Sequence, residues 1–107
     1  SNNSQTENDD LINYVLMITN EVTNNKSSNV DLTNVGFQNK KSSNFYTKGD
    51  ESFYLNIEKN RFGISSIKYW KKGDKILYLL PITNNRVLTL YGKINPETVR
   101  LVANTLK

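Results

Sequence analysis

Apolar positions fall into three zones along the chain. In the first, Leu11, Tyr14 or Val15, Ile18 and Val22 recur at helical spacing, and Ile12, Leu16 and Met17 occupy the other faces. This predicts a helix over 11–22 that is apolar on more than one side. The Ile, Tyr, Val and Thr content of the same run makes a β-strand the competing reading. Asn8, Asp9 or Asp10 can cap the helix, and acidic groups suit its positive end. Residues 1–10 read as a frayed terminus.

The second zone, 23–48, is a polar connector rich in Asn, Ser, Thr and Lys. It is long for a structureless loop, so Val30, Leu32, Val35 and Phe37 are expected to dock it on the body. Asp31-Leu32-Thr33-Asn34 suits one helical turn, with Gly36 permitting a sharp exit.

The third zone alternates. Lys48-Gly49-Asp50 is turn chemistry. Phe53, Leu55 and Ile57 then alternate with Tyr54, Asn56 and Glu58, as in a half-buried strand. Lys59-Asn60-Arg61 reads as a turn. Phe62 and Ile64 have one parity and Ile67 and Tyr69 the other, which places a bulge at Ser65-Ser66. Lys71-Lys72-Gly73-Asp74 reads as a hairpin turn. Ile76 to Leu80 is apolar on both parities, as in a central strand that Pro81 ends or edges. Thr83-Asn84-Asn85 is a turn before a strand from Val87 to Tyr91. Asn95-Pro96-Glu97 starts a helix whose stripe is Val99, Val102, Ala103 and Leu106. The expected fold is a single α+β domain over 1–107. Its N-terminal helix and short C-terminal helix pack on one face of a meander of about four antiparallel strands.

Composition narrows the chemistry. The 107 residues include no Cys and no His, which removes thiol nucleophiles, imidazole bases and the usual zinc ligands. Asp9-Asp10 and Asp50-Glu51 are the adjacent carboxylate pairs, and they read as helix-start and turn residues. Asp31, Asp50 and Asp74 lack the spacing of a calcium loop. Glycines stand singly, so no phosphate-cradling loop is formed. No catalytic, cofactor or metal site is expected, and the chain reads as a non-enzyme. No apolar run reaches the roughly 18 residues that span a bilayer.

Charge divides the chain. Residues 1–50 carry four basic and six acidic side chains, net −2, and residues 51–107 carry ten and four, net +6. The basic half suits an anionic surface or polymer, or the acidic helix end of a neighbouring copy. Lys68, Tyr69, Trp70, Lys71, Lys72 and Lys75 form the candidate binding surface, with lysines and aromatics interleaved on a hairpin. The plainer reading is a solvated hairpin tip whose charges deter strand pairing.

Two stretches carry a family resemblance. Leu11 to Val22 looks like the C-terminal half of a long helix. Val87-Leu88-Thr89-Leu90-Tyr91-Gly92-Lys93-Ile94-Asn95-Pro96-Glu97-Thr98 looks like a late strand leading into a short helix. With the connector and meander, this layout resembles the soluble part of a type IV pilin or pseudopilin, nearest the type IVb group. The disulfide common in pilins has no counterpart here. The resemblance implies a structural subunit of a bacterial surface filament or secretion apparatus. It would be membrane-anchored through a segment upstream of Ser1 and then assembled at the cell surface with other copies or related subunits. Leu11, Ile12, Val15, Leu16, Ile18 and Val22 are the candidate assembly helix. Two alternatives stay open: a small basic module, cytoplasmic, for nucleic acid or an acidic protein, and an immunity or inhibitor protein.

Overall fold

The structure, a computed structural model, describes residues 2–24, 28–39 and 43–106, with side chains in the first helix from residue 13 onward. Helix α1 (Asn2–Asn24) is followed by a 3-10 turn (Thr33–Val35) and six strands. These are β1 (Gln38–Asn39), β2 (Phe45–Lys48), β3 (Glu51–Lys59), β4 (Lys68–Lys72), β5 (Lys75–Ile82) and β6 (Arg86–Lys93). Helix α2 (Pro96–Thr105) closes the chain. The helical reading of 11–22 holds, and the helix begins upstream of the capping positions expected at 8–10.

All strand pairs are antiparallel, in the order β1-β2-β3-β6-β5-β4. The sheet is two three-stranded meanders joined along β3 and β6. Among the described residues it has six strands where about four were expected, because β1 and β2 lie inside the polar connector. Phe45-Tyr46-Thr47 is a run of good strand formers, and Tyr46 is fully buried. The segment 60–67 is a loop from β3 to the far edge strand β4, so no bulge forms at Ser65-Ser66. Asn60 ties this loop, accepting from the Ile64 N–H at 2.9 Å and donating to the Ile64 carbonyl at 2.7 Å.

The two helices lie on opposite faces of the sheet, which corrects the one-face expectation. Successive strand residues point to opposite sides. Leu77, Leu79 and Val87 pack with Ile18, Tyr14 and Val15 of α1. Tyr78, Leu80, Leu88 and Leu90 pack with Val99 and Val102 of α2, together with Phe53, Leu55, Leu32 and Phe37. The physical reason lies in β5 and β6. Each is apolar on both parities, so each face needs a cover.

The connector is docked as expected, through Leu32 and Phe37, with Val30 and Val35 packed alongside. Asp31 accepts from the Thr33 N–H (2.9 Å) and hydroxyl (2.7 Å), and those bonds hold its carboxyl below the usual carboxylate range. Gly36 takes φ 87° and turns the chain into β1. Gly92 sits where β6 passes close to β3. A Cβ there would collide with the Ser52 carbonyl oxygen and lie 2.8 Å from Phe53 Cα. Among the described residues no helix is long and apolar enough to cross a membrane.

Candidate functional site

Helix α1 leans on the sheet by one stripe. Ile18 and Val22 are buried and Val15 is half-buried, so these three candidate assembly residues belong to the domain's own core. Leu16 and Met17 lie outside that stripe and are 53% and 39% exposed, Leu16 on the flank beside the β4–β5 hairpin. The side chains of Leu11 and Ile12 lie outside the described residues.

Between α1 and the β4–β5 hairpin runs an open groove of about 310 Å³. Val15, Leu16 and Thr19 form the helix wall, and Trp70, Lys71 and Lys72 the strand wall. Leu77 and Tyr91 form the floor. The groove therefore brings together parts of both residue sets singled out from the sequence. Its floor was missed, although the hairpin register offered a signal. A two-residue turn at Gly73-Asp74 sets Lys72 opposite Lys75 and Trp70 opposite Leu77.

The hairpin's side chains divide between the two faces. Residues directly opposite share a face, so Lys68, Trp70, Lys72 and Lys75 lie on the α1 side with Leu77 and Leu79. Tyr69 and Lys71 alternate to the other side. Tyr69 is 66% exposed there and tilts against Tyr78 at 6.0 Å between centroids. The two aromatics of the hairpin therefore do not make one stacking platform.

Trp70 is held edge-on by Tyr14, with centroids 6.4 Å apart, and Tyr14 meets Phe62 edge-on at 4.6 Å. Burial raises the Tyr14 hydroxyl above its ordinary value, and the Glu58 carboxylate adds to this. Arg61 lies 3.5 Å from both Glu21 and Glu58 and links the crossover loop to α1 and β3.

Lys72 and Lys75 are a like-charged pair directly opposite each other. Such pairs oppose sheet formation. The Lys75 ammonium lies 5.8 Å from the centre of the Tyr91 ring, a partial compensation. Among the described residues, the ion pairs join Arg61 to Glu21 and Glu58, and Lys93 to Asp74. Lys68, Lys71, Lys72 and Lys75 take no part in them.

The carboxylate pairs fall elsewhere. Glu51 accepts from the Asn95 N–H and the Thr98 hydroxyl, both at 2.9 Å, and so serves the start of α2. Asp50 lies in the β2–β3 turn. The side chains of Asp9 and Asp10 lie outside the described residues. Among the described residues no group of three or more Asp and Glu side chains is placed to hold a metal ion. The chain matches no protein-family model, no curated protein and no solved structure.

Proposed function

We propose that this chain is the globular part of a non-enzymatic, pilin-like structural subunit of a bacterial surface filament or secretion apparatus. The observation that carries the reading is the two-sidedness of α1. One stripe, Ile18 and Val22, is consumed by the domain's own sheet. A second side, Leu16 and Met17, stays open to solvent. A surface helix normally keeps one apolar stripe and a polar back. Leu16 and Met17, set among the exposed Asn13, Asn20 and Asn24, give that side two large apolar contacts that suit a helix packing against other subunits. The order of a leading helix, a docked connector, an antiparallel sheet and a closing helix is also that of the pilin layout.

On this reading other copies or related subunits cover the back of α1, and the sheet and hairpin face outward at the cell surface. The test uses the full-length gene product in its own bacterium. Filaments sheared from the surface should contain the protein. A Leu16→Lys variant should fold, because Leu16 is outside the core, yet be lost from the sheared fraction. Unchanged filament content in that variant, or filaments that assemble normally when the gene is deleted, would count against the reading. The division of Tyr69 and Trp70 between two faces makes a nucleic-acid platform the weaker reading.

A further inference from the structure

We propose that the groove between α1 and the β4–β5 hairpin binds a single-chain anionic amphiphile. The acyl chain lies on Leu77, Tyr91, Trp70 and Val15, and the anionic head lies between Lys72 and Lys75. This goes beyond the filament reading and does not depend on it.

Three observations point the same way. The first is shape and lining. At about 310 Å³ the groove is at the lower end of the range for small-molecule sites, and its walls are mainly aliphatic and aromatic with charge at one end. The second is charge. Lys71 and Lys72 are the charged residues lining the groove, but Lys71 turns its side chain to the other face, so the charge on the groove side is that of Lys72, which has no ion-pair partner among the described residues. Lys75 stands directly opposite Lys72 in the register, beyond the lining, with its ammonium over the Tyr91 ring that forms the floor. The Lys72–Lys75 pairing is unfavourable by itself, and an anion between the two ammonium groups turns that repulsion into attraction. The third is extent. Eight residues line the groove. A stable protein–protein interface engages roughly 20–30 residues a side, so the groove alone is too small for a macromolecular partner.

The chain carries its own reporter. Trp70 is its one tryptophan and forms a groove wall. The 107-residue chain is titrated with dodecanoate below micelle formation while Trp70 emission is followed. Acetate supplies the head without the chain, and dodecyl maltoside the chain without the charge. Dodecanoate should give a saturable blue shift, acetate none, and the maltoside a much weaker response. The double variant Lys72→Gln/Lys75→Gln should bind dodecanoate about tenfold more weakly, the scale of two exposed ionic contacts. Thr19→Phe, which fills the groove from the helix side, should abolish the shift. These three positions lie outside the core, and thermal melts monitored by circular dichroism check that each variant folds.

Equal responses to dodecanoate and the maltoside, or wild-type affinity in both variants, would overturn the proposal. So would a response confined to vesicles of phosphatidylcholine with phosphatidylglycerol, which would assign the lysines to a membrane surface. A ligand-free blue shift that grows with protein concentration, with doubled mass by sedimentation, would assign the groove to a second copy and overturn the proposal as well.

Discussion

Asn44 donates a hydrogen bond from its side-chain amide to the carbonyl oxygen of Val22, at 2.8 Å, across 22 positions of chain. Val22 is in the last turn of α1, where carbonyls lack partners within the helix. The same Asn44 side-chain nitrogen lies 3.2 Å from the Leu55 carbonyl, and the Asn44 backbone carbonyl accepts from the Leu55 N–H at 2.9 Å. One buried side chain thus fixes the end of α1 to the third strand. Asn44→Leu should leave the Val22 carbonyl buried without a partner, at a cost of about 1–3 kcal/mol. Urea denaturation followed by circular dichroism would give the value, and an unchanged midpoint would show that the contact contributes nothing.

Gly92 is the glycine least able to accept a side chain. Its φ of 152° and the collision of any Cβ with the Ser52 carbonyl oxygen leave no room for a side chain. Gly92→Ala should therefore part β3 from β6 locally and cost about 3 kcal/mol or more. The readout is the thermal midpoint. A shift within that of a typical exposed-surface substitution would contradict the close packing of these strands.

Alkaline pH should destabilise the fold through its tyrosines. Burial raises the hydroxyls of Tyr14, Tyr46 and Tyr78 above the ordinary value of 10.0. The stability they contribute is fully present below pH 10.0, where both states are protonated. As pH rises above that value the unfolded chain ionises first, so stability falls until the folded hydroxyls titrate too. Tyr46 also donates to the Val30 carbonyl at 2.6 Å and meets the Ser28 hydroxyl at 2.6 Å. Tyr46→Phe should cost about 1–3 kcal/mol at neutral pH. It should also make the alkaline loss shallower. A slope above pH 10.0 identical to the wild type would rule out Tyr46 as a contributor.

Much of the fold was legible because local signals and packing agree. The stripe of Val99 and Val102 made α2 plain, and Pro96 takes the first helical position as expected. The cap chemistry was legible only in part. Asn95 stands at the N-cap, but the hydrogen bonds at that end come from Glu51, 44 and 47 positions earlier. Strand β2 was hidden by its polar surroundings. Its register partner Phe53 was read as part of a strand that began the sheet, with no sign that Tyr46 lay beside it. The face taken by each helix could not come from either helix's pattern. It depends on which parity of Leu77 to Leu80 each one covers. The groove was half legible for the same reason. Lys71, Lys72 and Leu16 stood out locally, whereas Tyr91 joins them only once β6 pairs with β5.

The central claim is that other subunits cover the back of α1, and the absence of cysteine gives a clean way to test it. Met17→Cys places one thiol on the exposed side of the helix. In the isolated 107-residue chain that thiol should react with a maleimide at the rate of an exposed cysteine. In filaments sheared from cells carrying the full-length variant, the account predicts strong protection, relieved when the filaments are dissociated. Equal reactivity in the isolated chain and in the sheared filaments would contradict it.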